Sequence, residues 1–223
     1  MARTMIVGAN RGIGLELTKQ YLAAGDEVIA TARNTDAESL AALDATRVTL
    51  DISDPASISA AADAVGDAAI DNLIICAGAV GGGRQSLDDL DIEEWHRSLD
   101  TNTIGPALVA KAFKDNLIAS GNGNLMILSS QLAASTWPMG GMYIYSTTKA
   151  AVSKVGQILA LDWAKEPIIV SVMHPGWVQT DMGGPNADIT AEESAAGIRS
   201  VIAGLTKEDS GNFYKWNGDI HPW

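Results

Sequence analysis

The architecture of this chain follows from the stretch RTMIVGANRGIGLELTKQYL, Arg3–Leu22. Its first residues, Arg3–Val7, predict a short buried strand, and Ile13, Leu17, Tyr21 and Leu22 are spaced as the core face of a helix. Between them, the turn GANRGIG contains three glycines at the spacing GxxxGxG. A strand, a glycine-rich turn and a helix in this order favour binding of a dinucleotide phosphate, because the helix N-terminus offers unpaired N–H groups. A purely structural turn is the alternative. The residues predicted to line the phosphate site are Gly8, Asn10, Arg11, Gly12, Ile13 and Gly14.

The same alternation of strands and helices continues along the chain. Further strands are predicted at Val28–Thr31, Val48–Leu50, Asn72–Cys76, Asn124–Leu128 and Ile168–His174, and further helices at Pro55–Val65, Ile104–Ser120 and Tyr145–Ala164. Asp54 is predicted as the N-cap before Pro55 at the first helical position. This order predicts an α/β fold: a single doubly wound Rossmann domain over residues 1–223, with a mostly seven-stranded parallel sheet and helices on both faces. Ligands of such sheets bind beyond the carboxyl ends of the strands.

Composition limits the classes of function. The chain has 223 residues, of which 47% are hydrophobic and 19% charged, with a formal net charge of −12. This charge argues against nucleic-acid binding, which needs clustered Lys and Arg. No apolar run reaches the length of a membrane span, and Cys76 is the only cysteine, so a cytoplasmic protein without disulfides is expected. The three histidines are scattered and predict no metal site.

The end of the second strand predicts the choice of cofactor. NAD-binding proteins usually place an acidic side chain there, whereas this chain has Thr31, Ala32 and Arg33. Arg33 and Arg11 together suit a 2′-phosphate, so NADP(H) is predicted. The alternative is that both arginines are solvated surface charges.

A phenol and an ammonium group lie four residues apart in Tyr145-Ser146-Thr147-Thr148-Lys149, so on a helix they share one face. The pair follows the fifth strand, whose end carries Ser129 and Ser130. A carbonyl that receives hydride needs an acid to protonate its oxygen, and a nearby ammonium is expected to lower the pKa of the tyrosine. These residues predict a carbonyl reductase with Tyr145 as its proton donor.

In their order, the glycine turn, Asn102, the serine and the Tyr-x-x-x-Lys pair resemble the short-chain dehydrogenase/reductase family over essentially the whole chain. The segment HPGWVQTDMGGP, His174–Pro185, and the ending IHPW resemble its C-factor and sniffer-type carbonyl reductases. The resemblance implies NADPH-dependent reduction of an aldehyde, ketone or quinone. It also implies a homodimer that pairs through the long helices after the fourth and fifth strands.

The resemblance also implies roles for individual residues. Asn102, Ser130, Tyr145 and Lys149 match a catalytic tetrad, in which the asparagine holds a water that leads to the lysine. Lys149 is also expected to bond the nicotinamide ribose. Further contacts to the cofactor are implied for Asp51, Ile52, Ala77, Gly78, Tyr145, Pro175, Gly176, Val178 and Thr180.

The serine departs from the usual family pattern. Leu132 stands at the common serine position and cannot serve, so Ser130 is preferred, with Ser129 and then Ser135 as alternatives. A second departure is Ile75-Cys76 in place of two asparagines, where the thiol is interpreted as a small buried filler. An apolar substrate pocket, or simply packing, is predicted for Trp137, Met139, Met142, Trp177 and Met182.

Two other functions are compatible with parts of this pattern. One is a regulatory protein that binds NADPH and signals through a partner, for which a complete tetrad would be unnecessary. The other is an NAD-dependent alcohol dehydrogenase, against which Arg33 argues.

Overall fold

Seven parallel strands form one sheet in the computed structural model, which describes residues 1–223. The order across the sheet is β3-β2-β1-β4-β5-β6-β9, so the chain winds outward in both directions from β1 and β4. The strands are β1 Arg3–Val7, β2 Glu27–Ala32, β3 Thr46–Thr49, β4 Asn72–Ile75, β5 Gly123–Leu128, β6 Ile168–His174 and β9 Phe213–Lys215. Two short strands, β7 Val178–Gln179 and β8 Ile189–Thr190, pair separately. The predicted doubly wound α/β fold is confirmed.

Helices cover both faces of the sheet. They are α1 Gly12–Ala23, α2 Glu38–Ala41, α3 Pro55–Val65, α4 Ile92–Leu99, α5 Gly105–Ala112, α6 Lys114–Ala119, α7 Tyr143–Asp162 and α8 Ala191–Gly204. Short 3₁₀ turns lie at Leu87–Asp89, Gln131–Ala133 and Lys207–Asp209. No helix combines the length and the apolar composition that crossing a bilayer requires.

Two apolar clusters sandwich the sheet. Alternate residues of one strand face opposite clusters: Leu73 and Ile75 of β4 lie in one, and Ile74 lies in the other. The first cluster packs the sheet against α3, α5 and α7, and the second against α1 and α8. Burial on both faces explains why the strands are continuous apolar runs without polar alternation.

Several element boundaries match the sequence expectations. Strands β1 and β6 and helix α3 have the predicted bounds, and the Asp54 carboxylate accepts a hydrogen bond from the Ala56 N–H at 2.9 Å as the predicted N-cap. Strand β3 lies nearer the N-terminus than predicted, β4 ends at Ile75, and α7 begins and ends earlier.

The predicted helix from Ile104 to Ser120 is wrong in extent. The helical region already begins at Ile92, passes through a π-helical turn at Asp100–Ile104, and breaks at Phe113. Pro106 has no N–H to donate to the carbonyl of Asn102 four residues earlier, which explains why regular α-helical bonding is interrupted here. The π turn contains Asn102, so the interruption lies at a predicted site residue.

Candidate active site

A cleft of about 990 Å³ lies across the carboxyl ends of the central strands. Most of the predicted cofactor residues line it: Gly8, Asn10, Arg11, Gly12, Ile13, Gly14, Arg33, Asp51, Ile52, Ala77, Gly78, Tyr145, Lys149, Pro175 and Thr180. Gly176 and Val178 do not line this cleft, and Val178 is buried in β7. The fold therefore brings residues from the loops at the strand ends and from helices α1 and α7 to one place.

The glycine turn after β1 is shaped by close backbone approach. Gly8 has φ +92°, and a Cβ atom there would lie 2.8 Å from the amide nitrogen of Ala77, at the end of the neighbouring strand. A Cβ at Gly14 would collide with the carbonyl oxygen of Gly8. Helix α1 has no acidic residue in its first turn and no side-chain cap. Its first N–H groups therefore suit an anion.

Basic side chains lie at the β2 end of the cleft. Arg33 is exposed beside Asp51, whereas Glu27 pairs with Arg3 at the opposite end of the strand. Partial burial acts to raise the pKa of Asp51, but hydrogen bonds from Ser53 and the charge of Arg33 outweigh it, so the pKa is lowered. No acidic residue stands at the end of β2 itself.

Arg11 has a partner that the sequence did not suggest. Its Nη1 lies 3.1 Å from Oδ2 of Asp181, so an exposed ion pair joins the glycine turn to the loop after β7. The two segments also touch beside this pair, because a Cβ at Gly12 would lie 3.2 Å from the methyl group of Thr180.

Tyr145 and Lys149 lie one turn apart near the start of α7. The Lys149 ammonium is 5.9 Å from the centre of the Tyr145 ring and donates a 2.9 Å hydrogen bond to the Leu128 carbonyl at the end of β5. Burial lowers the pKa of Lys149 to about 8. Burial raises the pKa of Tyr145, although a hydrogen bond with Ser130 partly offsets this. The expected net lowering of the tyrosine pKa is therefore wrong here, because burial raises it and only Ser130 acts in the opposite direction.

The structure separates the three candidate serines. Ser130 follows β5 directly, its hydroxyl accepts from the Leu132 N–H at 3.1 Å, and it lies close enough to Tyr145 to lower the pKa of that phenol. The Ser129 hydroxyl points into the protein, where it donates to the Lys149 carbonyl at 3.1 Å. Ser135 is exposed and donates to the carbonyl of Trp223 at 3.3 Å. Of the three, only Ser130 affects the pKa of the phenol, whereas Ser129 is the one that lines the cleft.

Asn102 is fully buried, and its amide joins two parts of the site. The Oδ1 atom accepts from the Ala79 N–H at 2.8 Å, and Nδ2 donates to the Ala79 carbonyl at 2.8 Å and to the Thr148 hydroxyl at 3.0 Å. The asparagine therefore holds the segment after β4 against α7. Gly78 lies between, since a Cβ there would be 3.3 Å from both Asn102 Oδ1 and Lys149 Nζ.

The apolar side chains and the cysteine discussed in the sequence lie partly in the cleft and partly outside it. Of the suggested apolar pocket only Met182 lines it, while Trp137, Met139 and Trp177 are exposed. Cys76 lines the cleft, and burial raises the pKa of its thiol to about 12, which agrees with a filler and not a nucleophile.

Ser39 is a cleft residue that the sequence interpretation missed. Its hydroxyl donates to the carbonyl of Asn10 at 2.8 Å and so braces the glycine turn. The two residues are 29 positions apart, and no periodic pattern connects them.

A family model described as short chain dehydrogenase matches residues 3–190 of the sequence. The chain belongs to the short-chain dehydrogenase family. The C-signal protein of Myxococcus xanthus is 37% identical over 157 residues, which are 69% of this chain and 93% of that protein.

Solved structures of this family superimpose along the whole chain. NADPH-bound carbonyl reductase from chicken fatty liver is 30% identical with a TM-score of 0.90, covering 100% of this chain and 99% of that one. The carbonyl reductase Sniffer of D. melanogaster is 26% identical with a TM-score of 0.94, and all of both chains is covered. Like these, the chain is an enzyme of the short-chain dehydrogenase type.

Proposed function

We propose that this enzyme is an NADPH-dependent carbonyl reductase that converts an aldehyde, a ketone or a quinone to the alcohol. The observation that supports this most directly is the arrangement at the end of β5, where the buried Lys149 ammonium bonds the Leu128 carbonyl and lies 5.9 Å from the Tyr145 ring centre, with Ser130 beside the phenol. Carbonyl reductases with this fold, one of them bound to NADPH, support the same assignment.

The cleft has the features that NADP(H) needs. The glycine turn and the uncapped start of α1 suit the pyrophosphate, and Arg33 and Arg11, which line the cleft, are the proposed ligands of the 2′-phosphate. Asp51 and Ile52, which line the cleft, are proposed to border the adenine, and the absence of a side chain at Gly78 beside Lys149 suits the nicotinamide ribose. The remaining contacts are proposed for Ala77, Pro175, Gly176, Val178 and Thr180, although Gly176 and Val178 would have to act from outside the cleft wall.

Each member of the tetrad has a distinct task in this proposal. When bound, the cofactor supplies a hydride to the carbonyl carbon. Tyr145 donates its phenolic proton to the carbonyl oxygen, and the Ser130 hydroxyl donates a hydrogen bond to the same oxygen. The Lys149 ammonium stabilises the phenolate that forms. Asn102 holds the segment that follows β4 in place beside Lys149.

Tyr145→Phe tests this mechanism, with Tyr143→Phe as its matched control in the same helical turn. Both changes remove one phenolic oxygen. We expect Tyr145→Phe to lower turnover of carbonyl substrates by about 10²-fold or more, since general acid catalysis contributes this much, and to leave NADPH binding within a fewfold. Turnover is followed by NADPH absorbance on a panel of aldehydes, ketones and quinones. Equal activity of the two variants would contradict the role of Tyr145.

A signalling role is the second candidate, because C-signal is among the similar proteins. The two functions separate in the same assay. NADPH binding without turnover on any carbonyl of the panel would favour signalling, and preference for NADH would favour the alcohol dehydrogenase alternative.

We further propose that two copies of the chain form a homodimer. Exposed apolar side chains lie on the helical segments that follow β4 and β5, namely Ile104 in the π turn and Ile158 and Leu161 on α7. Pairing through these segments would remove them from water.

A further inference from the structure

Three consecutive residues at the end of β5 contact the Tyr-Lys pair of α7. The Leu128 carbonyl accepts from the Lys149 ammonium at 2.9 Å, the Ser129 hydroxyl donates to the Lys149 carbonyl at 3.1 Å, and Ser130 lies near enough to Tyr145 to lower its pKa. The strand end therefore holds Lys149 twice, once through its side chain and once through its backbone.

The Ser129 contact continues into the next turn of the helix. Its oxygen lies 2.7 Å from the hydroxyl oxygen of Ser153, and both serines are buried, with 2% and 4% exposure. Because a hydroxyl has one proton and Ser129 donates it to the Lys149 carbonyl, Ser153 must be the donor in this pair. The same Lys149 carbonyl is the regular helical acceptor for the Ser153 N–H. Ser129 thus bonds α7 at two points, four residues apart.

Buried hydroxyl groups are costly unless they are hydrogen-bonded, and Ser171 shows the contrast inside the same sheet. Ser171 lies on the adjacent strand β6 with 1% exposure, and its hydroxyl has no partner. Ser171 is therefore a buried serine that the core tolerates without a hydrogen bond. At Ser129 the situation differs, because its hydroxyl is bonded both to the hydroxyl of Ser153 and to the backbone of Lys149.

We propose that Ser129 and Ser153 are positioning residues that lock Lys149 of α7 onto the end of β5 and so set the place of its ammonium beside Tyr145. The ammonium has one protein acceptor, the Leu128 carbonyl, and this bond survives only while the helix stays at its present distance from the strand end. Ser129, the very next residue, fixes that distance. This inference rests on the proposed function.

The test compares Ser129→Ala and Ser153→Ala with Ser171→Ala, which removes the same oxygen from an unpaired site. For each variant we would measure kcat and KM, the pH profile of kcat, and the melting temperature. We expect kcat of Ser129→Ala to fall about tenfold or more, because a small misplacement of a catalytic group is costly, with KM for the carbonyl substrate changed less. Ser153→Ala loses one of the two bonds and should fall about threefold. Ser171→Ala should match the wild type.

The pH profile separates positioning from general stability. The titratable groups nearest Lys149 are Cys76 at the end of β4 and Tyr145 on its own helix, and neither is altered by these variants. A helix that is released from the strand admits water to Lys149, which should move the alkaline midpoint of kcat upward by about half a pH unit. A lower melting temperature alone would not move this midpoint.

A Ser129→Ala enzyme with the kcat and alkaline midpoint of Ser171→Ala would overturn the inference. So would a loss of kcat that only follows the folded fraction and leaves the midpoint unchanged. If Ser129→Ala does not fold, Ser153→Ala decides, since wild-type kcat and midpoint in that variant are equally contrary. Failure of the proposed function is distinct, because it would appear as absent turnover in the wild type.

Discussion

Lys149 is the one charged member of the proposed tetrad, and it is buried. Its ammonium is buried at the end of β5 with a single backbone acceptor, and burial lowers its pKa to about 8. The pKa of Tyr145 is raised instead, so its phenol stays protonated through the same pH range. We therefore expect the lysine, and not the tyrosine, to be the group that titrates near pH 8 in this site.

We predict that carbonyl reduction slows as the pH rises through about 8, because a neutral Lys149 cannot stabilise the phenolate that Tyr145 becomes. The profile of kcat against pH measures this. Lys149→Arg is the matched variant, since a guanidinium stays charged to pH 12 or so. The activity that Lys149→Arg retains should not decrease as the pH rises through about 8. A decrease of kcat at the same pH in this variant would mean that another group titrates there.

Unfolding of the protein would not produce the predicted loss of activity at alkaline pH. Between about pH 8 and the ordinary lysine value of 10.5 the unfolded chain binds more protons at Lys149 than the folded chain. The contribution of this group to the free energy of unfolding therefore increases with pH over that window, while activity is expected to decrease. Melting temperatures measured across the same window provide the control.

The sequence predicts where these residues lie in the fold, but it does not predict in which direction every side chain points. A spacing of four on a helix was sufficient to place Tyr145 and Lys149 on one face. Ser129 and Ser130 are neighbours on extended backbone, with Ser130 at φ −157° and ψ 152°, so their side chains point to opposite sides. Which of them faces the phenol depends on the register of β5 against α7, and that register is a tertiary property.

Among the elements, those buried on both faces were the easiest to predict. The apolar runs of β1 and β6 gave their bounds directly, whereas α4 was missed because its sequence IEEWHRSL is mostly polar and leaves Ser98 as its one buried residue. Its start at Asp91 has a local signal, a carboxylate that accepts from the Glu94 N–H at 2.9 Å. The break of the following helix at Phe113 has no comparable signal in the sequence.

The loop after β7 supplies a prediction about cofactor affinity. Arg11 is bonded to Asp181, so it must exchange this carboxylate for the 2′-phosphate when it binds the proposed cofactor. We predict that Asp181→Asn tightens NADPH binding by about two- to fivefold, the worth of an exposed ion pair, and leaves NADH binding unchanged. Dissociation constants from cofactor fluorescence at low salt would measure this.

The matched control for that change is Asp188→Asn, which removes one charge from an exposed position of the same loop without breaking an ion pair. A simple reduction of the negative charge around the cleft would tighten NADPH binding equally in both variants. If Asp181 and the 2′-phosphate compete for Arg11, only Asp181→Asn should tighten NADPH binding. Equal tightening in both variants would contradict this competition.

The whole molecule has a strongly acidic surface on which a few large apolar side chains are exposed. The net charge of −12 opposes non-specific association of two copies, so a dimer would need a specific apolar contact. Leu161 and Leu87 are the two most exposed leucines, at 73% and 71%. Only Leu161 lies on the helices through which pairing is proposed, since Leu87 lies on the 3₁₀ turn before α4.

This difference gives a paired test of the quaternary structure. We predict that the wild type sediments as a dimer at micromolar concentration, that Leu161→Glu sediments as a monomer, and that Leu87→Glu remains a dimer. A carboxylate at the centre of an apolar contact must be desolvated without a partner, which is far more costly than the same charge on an open surface. Sedimentation velocity over a concentration series measures the association. Dissociation by Leu87→Glu as well would mean that added charge alone separates the copies, and a monomeric wild type would exclude pairing through α7.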